Sequence, residues 1–169
     1  QGTRPERDSR IKRSLWAMMM SHDIHPTALT HYKYQKDDHL ELRRTLSRLR
    51  GLVNLPDTER CLFAGYWLTD GMVHCPAKGI HASVYSNASL RSAAILLFNG
   101  EAKGQYLAGT ELDINALIPI KGKRLMASRI FDIETGEKVT TAFESGTYVI
   151  KDPCLAAGHG FRLLGIEAE

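Results

Sequence analysis

The chain has 169 residues, 43% of them hydrophobic and 24% charged, with a formal net charge of +3. That is enough chain to bury a core, and the composition is that of an ordinary globular domain rather than a disordered or fibrous one. No apolar run is long enough to cross a bilayer and no repeat has solenoid spacing, so neither a membrane span nor a solenoid is expected.

The charge is unevenly spread. Residues 1–52 hold 11 Lys and Arg against 6 Asp and Glu, a local +5, which leaves 11 basic against 13 acidic residues in the remainder. A basic front third argues for a polyanionic partner. Cys61, Cys75 and Cys154 are odd in number and lack Cys-x-x-Cys spacing, so the expectation is a reducing, cytoplasmic compartment without disulfides. The first residue is Gln1, as in a processed form or a fragment.

Gln1–Glu6 reads as an extended tail. Asp8 or Ser9 caps a helix to about Met20, with Ile11, Leu15 and Met18 inward and Arg10, Lys12 and Arg13 on the solvent side. Ser21–Gln35 is irregular, since Pro26 breaks any continuing helix. His22, Asp23, His25 and His31 fall within ten residues there, a candidate acid–base group or a set of loop histidines. A second helix runs over Asp37–Leu52, with Leu42, Leu46 and Leu49 as its apolar stripe and Gly51 as its stop. Arg43, Arg44, Arg48 and Arg50 crowd its second half. Cations there suit the helix dipole, but Arg44 and Arg48 also stand one turn apart on one face, as a phosphate-binding surface requires.

Asn54–Thr58, with Pro56, marks the seam to a β-rich part. Cys61–Cys75 reads as a hairpin on an Asp70-Gly71 turn that pairs Thr69 with Met72 and Leu68 with Val73. Trp67 then faces His74, and Tyr66 faces Cys75, for packing or as a stacking platform for bases. His74, Cys75 and His81 have loose metal-like spacing, but adjacent strand residues point to opposite faces, so no metal site is assigned. Ser86 or Asn87 caps a covering helix through Phe98, with Leu90, Ala94 and Leu97 inward; Ala93–Phe98 reads alternatively as a buried strand.

Gly104–Ala108 is a short strand, and Asp113 starts a single helical turn before Pro119. Lys121, Lys123, Arg124 and Arg129 form a second basic patch, with no acid among residues 114–131. Glu134-Thr135-Gly136 then closes a hairpin with Ile133 opposite Glu137, Phe131 opposite Val139, Arg129 opposite Thr141 and Ala127 opposite Phe143. The same register sets Asp132 against Lys138. Thr147–Ile150 adds a third strand after Gly146. Asp152-Pro153 ends it, the Gly158-His159-Gly160 loop can set an imidazole beside a ligand, and Phe161–Ile166 is a closing strand.

Phosphate-binding and dinucleotide-binding glycine loops are absent, as are the zincin, nucleophile-elbow and zinc-deaminase signatures. The expected fold is α+β in one domain: N-terminal helices (residues 1–55) packed on a mostly antiparallel sheet (residues 56–169) with one further covering helix. The expected function is a nucleic-acid-binding or processing component, acting alone or as a subunit of a larger assembly. It would hold DNA or RNA phosphates through Arg10, Lys12, Arg13, Arg43, Arg44 and Arg48, and through the second patch. Two alternatives stand beside it. One is a metal-independent nuclease or phosphodiesterase using His22, His25 or His31. The other is a non-catalytic module docking on an acidic protein surface. No cofactor is called for.

Overall fold

The computed structural model describes residues 4–24, 37–55 and 59–169. Helices α1 (Arg4–Met20) and α2 (Asp37–Val53) precede strands β1 (Cys61–Ala64), β2 (Val73–His74), β3 (Ile80–Asn87), β4 (Ser92–Asn99), β5 (Gln105–Tyr106) and β6 (Glu111–Leu112). A single turn of helix, α3 (Ile114–Leu117), leads to β7 (Ala127–Asp132), β8 (Thr141–Glu144), β9 (Thr147–Ile150), β10 (Leu155–Ala156) and β11 (Phe161–Ala168). The fold is α+β. A central antiparallel sheet has the order β1-β3-β4-β11-β7, a second sheet runs β2-β6-β9-β8, and β5 pairs with β10.

Both faces of the central sheet are covered. Val84, Ala93, Ile95, Leu97, Leu164 and Ile166 share one core with Leu112, Ile114, Leu117 and Ile150 from the second sheet and α3. The alternate residues Tyr85, Ala94, Leu96 and Leu163 share the other core with Trp16, Ala17, Met20, Leu42, Leu46 and Leu49 from the two helices. A strand buried on both faces loses its polar alternation, so β4 is apolar nearly throughout.

That burial corrects the expected covering helix over Ser86–Phe98, whose second half is the buried strand β4. Asn87 does behave like a helix cap, its Oδ1 accepting from the Leu90 amide at 3.1 Å. The bond instead closes the turn between β3 and β4, where Arg91 takes a left-handed φ of 50°.

Other elements form as expected. Leu42, Leu46 and Leu49 of α2 are buried. Asp113 caps α3, with Oδ1 accepting from the amides of Asn115 and Ala116. The strand at Thr147–Ile150 pairs with β8 through Ser145-Gly146, both at positive φ as a two-residue hairpin turn requires. Helix α2 runs two residues past Gly51, and Asn54, at φ 52°, takes the left-handed position instead.

Three expectations about facing and register change. Helix α1 starts at Arg4 and turns Trp16, Ala17 and Met20 inward, leaving Ile11, Leu15 and Met18 exposed. Two apolar stripes coexist on this helix, and burying the large indole decides between them. The Glu134-Thr135-Gly136 hairpin is one residue shorter in register: Phe131 bridges Lys138, and the Val139 amide bonds to the Ile130 carbonyl. Asp132 therefore does not face Lys138. It is buried, and its Oδ1 accepts from the amides of Glu134 and Thr135 at 2.8 and 3.1 Å, which pulls the turn back over it. Beyond Val139 the chain leaves for the second sheet, so Thr141 and Phe143 pair with β9 rather than β7. Likewise the Asp70-Gly71 turn forms (Met72 amide to Thr69 carbonyl, 2.9 Å) but joins no hairpin. Strand β1 pairs with β3 and β2 with β6, so Leu68–Val73, Trp67–His74 and Tyr66–Cys75 are not neighbours across a ladder.

Both helices end against the sheet. Tyr85 Oη donates to the Met20 carbonyl at 2.6 Å and Ser83 Oγ to the Ser21 carbonyl at 3.1 Å. Asn87 Nδ2 donates to the Val53 carbonyl at 3.0 Å and Ser92 Oγ to the Leu52 carbonyl at 2.6 Å. Burial, with Asp23 adding to it, pushes the Tyr85 phenol far above its ordinary range. The folded chain then keeps a proton that the unfolded chain releases near pH ~10, so this contribution is complete below that pH and is lost as pH rises further. Tyr85→Phe should flatten the alkaline fall in stability and should cost about 1–2 kcal/mol at neutral pH, where the Met20 carbonyl loses its donor. Urea unfolding of both proteins near neutral pH and above pH ~10 measures the two effects.

Candidate functional site

The middle of α1, the middle of α2, the turn after β7 and the start of β11 surround a cleft of about 440 Å³. It is lined by Arg13, Glu41, Arg44, Thr45, Arg48, Glu134, Thr135 and Arg162. Three of the expected phosphate-binding residues, Arg13, Arg44 and Arg48, are thus brought together, and Arg162 joins them.

The four guanidinium groups are not equivalent. Arg13 pairs with Glu134 at 2.7 Å and lies over the Phe161 ring, 4.9 Å from its centroid. Arg48 Nη1 donates to the carbonyls of Ile133, at 3.0 Å, and Glu134. Arg162 pairs with Asp132 at 3.1 Å and donates through Nε to the Leu155 carbonyl at 3.0 Å. These three tie α1, α2 and β11 to the turn after β7. Arg44 is exposed and makes no hydrogen bond or ion pair among the described residues. Arg48 keeps Nη2 and Nε without partners there.

A neighbouring cavity of about 260 Å³ shares Arg13, Glu134 and Arg162 and adds Arg10, Ser14 and His159. The Gly158-His159-Gly160 loop is held tightly beside it. Ser14 Oγ donates to the His159 carbonyl, and the His159 amide donates to the Glu101 carbonyl at 2.9 Å. A Cβ at Gly158 would lie 2.0 Å from the Ala102 carbonyl oxygen, so only glycine fits.

The remaining expected residues lie elsewhere. Arg43 is exposed on α2 and Lys12 is half-buried on α1, each with an interaction of its own. Lys121, Lys123 and Arg124 are exposed between α3 and β7. The length of β7, about 20 Å, separates them from the cleft. Arg129 lies over Phe131 at 4.1 Å, donates to the Gly136 carbonyl at 3.0 Å and sits 3.9 Å from Glu167. The two basic patches therefore do not merge. His22 lies in the turn just after α1, with Nδ1 2.9 Å from the Met18 carbonyl and its ring against Tyr66 and Trp67, about 14 Å along the helix axis from Arg13. His25 and His31 lie outside the described residues. His74 stands on β2 and His81 on β3, in different sheets, and Cys75 Sγ accepts from Thr110 Oγ1. Among the described residues no group of three or more His, Cys, Asp or Glu is placed to hold a metal ion. All three cysteines are free thiols, and burial pushes the Cys154 thiol up, with Arg162 opposing. Among the described residues no helix is long and apolar enough to cross a membrane.

Arg162 and Glu134, which line the cleft, and Asp132, which holds the turn beneath it, are not singled out for those roles by the sequence. Arg162 lies in a segment that reads only as an apolar closing strand, and Glu134 only as a turn residue.

No protein-family model and no curated protein matches the chain. Among solved structures it is similar to a β-galactosidase from Bacillus circulans sp. alkalophilus, at 14% identity over 59% of this chain and 11% of that one, with a TM-score of 0.31. It is also similar to α-L-fucosidase isoenzyme 2 from Paenibacillus thiaminolyticus, at 10% identity over 69% of this chain and 16% of that one, with a TM-score of 0.39. The chain thus spans a small fraction of either protein, and likenesses at these scores carry no argument about its function.

The Asp132 carboxylate holds the floor of the cleft in two ways that can be separated. Asp132→Asn keeps an oxygen for the Glu134 and Thr135 amides and loses the charge opposite Arg162, whereas Asp132→Ala loses both. We expect a cost of about 3 kcal/mol for alanine and roughly half of that for asparagine, read from urea unfolding midpoints.

Proposed function

We propose that this chain is a nucleic-acid-binding component, gripping phosphates of DNA or RNA along the open side of α1 and α2. The observation that carries the proposal is the meeting of Arg44 and Arg48, one turn apart on an exposed helix face, with Arg13 and Arg162 from two other elements around one cleft. A guanidinium presents several donors in a planar fork, which suits phosphate oxygens, and a fork already anchored by one edge loses less freedom on binding. Arg48 is anchored in that way through Nη1, and Arg44 is open to solvent beside it. Arg10 extends the basic surface along α1. A cytoplasmic setting agrees with the free thiols of Cys61, Cys75 and Cys154. Of the histidines in the hydrolase reading, His22 stands about 14 Å along the helix axis from Arg13, so it supplies no acid or base at the cleft, and His25 and His31 lie outside the described residues.

The test is a salt series of anisotropy titrations with labelled DNA and RNA. The wild-type chain should bind more weakly as salt rises. Arg44→Ala should lower affinity for every sequence alike and reduce the salt slope by about one, while leaving the unfolding midpoint unchanged. Absence of binding even at low salt would remove this function and leave the cleft arginines as clamps between helices and sheet.

A further inference from the structure

A second surface lies at the other end of α1. After β1 the chain turns tightly, with the Leu68 amide on the Gly65 carbonyl at 2.7 Å and the Tyr66 amide on Ser83 Oγ at 3.1 Å. Thr69 Oγ1 donates to the Ala82 carbonyl at 3.0 Å. These bonds fix the backbone against β3 and turn two aromatic side chains outward: Trp67 is 54% exposed and Tyr66 39%.

Trp67 is nonetheless held. A Cβ on Gly65 would lie 2.5, 2.6 and 2.7 Å from three consecutive carbons of its six-membered ring. Near-equal distances to neighbouring atoms place that point over the ring face, so one face of the indole rests on the Gly65 backbone. Tyr66 meets the indole edge-on, at 4.9 Å and 83°, and His22 sits 5.7 Å away at 39°. Tyr66 is itself backed by His81 at 5.0 Å. Isolated exposed aromatics are common and need no explanation, but this one is immobilised by a glycine and flanking rings while more than half of its surface stays open.

We infer that Trp67, braced by Gly65, Tyr66 and His22, is a stacking platform for an unpaired nucleobase, so that the nucleic acid taken by this chain is single-stranded. The inference rests on the nucleic-acid reading above. A flat, rigid, open ring offers every base a π-face, whereas bases inside a duplex have both faces occupied. The choice of a base over another apolar partner comes from α1, whose middle carries Arg10 and Arg13 on the cavities and whose C-terminal end leads directly to His22 on the platform. Asp23 and Asp70 adjoin the platform in the chain, so it adds no phosphate grip and its contribution does not depend on salt.

The experiment compares a 12-nucleotide oligothymidine with a duplex of equal length, using wild type, Trp67→Ala, Trp67→Phe and Arg44→Ala. Trp67→Ala should weaken oligothymidine binding about tenfold with an unchanged salt slope, Trp67→Phe should recover most of the loss, and duplex binding should not move. Oligothymidine should also quench tryptophan fluorescence, a signal that belongs to Trp67 because Trp16 is fully buried, and that disappears in Trp67→Phe. If wild type binds and Trp67→Ala binds as well, or if it weakens both ligands equally, the platform is refuted while the nucleic-acid reading stands. If wild type binds neither ligand, both fall. Arg44→Ala marks the difference, since it should weaken both ligands and lower the salt slope.

Discussion

Two helices end inside this protein, and their last carbonyls must find donors there. A helix C-terminus leaves carbonyl oxygens without intrahelical partners, and burying them unpaired costs more than most single packing contacts return. The central sheet supplies the donors from positions that the apolar pattern would otherwise claim. Ser83, Tyr85 and Asn87 stand on β3 and Ser92 on β4, all buried, and each reaches the end of a helix. These four side chains fix where α1 and α2 stop. Because a helix is rigid, they also fix where the earlier turns of each helix lie.

The cleft is a consequence of that docking. With Met20 and Val53 pinned over β3 and β4, Arg13 and Arg48 come within reach of the turn after β7 and bond to it. Asp132 holds the same turn from below, and Arg162 answers Asp132 from the adjacent strand. The basic face that looks uniform in the sequence therefore divides by task. Arg13, Arg48 and Arg162 spend donors on the protein, and Arg44 spends none among the described residues. A charge count cannot make that division, because it depends on acceptors contributed by Ile133, Glu134 and Asp132, far away in the chain.

Legibility in the sequence followed how local each determinant was. The stripe of α2, the cap of α3 and the strand at Thr147–Ile150 after Gly146 rest on residues within a few positions of one another, and each stands as read. The face of α1 did not, since Ile11-Leu15-Met18 and Trp16-Ala17-Met20 are both helical stripes and only the sheet beneath selects the one with the indole. The register after β7 failed for a different reason. The sequence sets Asp132 as a charge facing Lys138, but Arg162 and two turn amides stabilise it in burial, and a one-residue slip exchanges every face beyond it. At Ser86–Phe98 the local signals were true and their use was not: Asn87 caps a turn, and six apolar residues alternate between two cores rather than lining one. In the cleft, Arg44 and Arg48 were visible as a helical pair, whereas their company was set by strand pairing.

The second basic patch has a structural explanation of its own. Among the described residues β7 is an edge strand of the central sheet, paired with β11 on one side and bridged on the other only near its end, at Phe131 and Lys138. An open edge of this kind can add a strand from another chain, and lysines, arginines and bulky cover along it oppose that pairing. Lys121, Lys123 and Arg124 stand at its entrance. Further along, Arg129 covers the Phe131 ring, and that ring in turn lies where a Cβ of Gly165 would be, 2.5 Å from its nearest carbon. This stack of cation, aromatic ring and glycine fills the sheet face beside the edge without adding another strand. The charges that suggest a ligand surface thus also oppose pairing at the edge of the sheet, and the proposed phosphate grip rests on α1 and α2 alone.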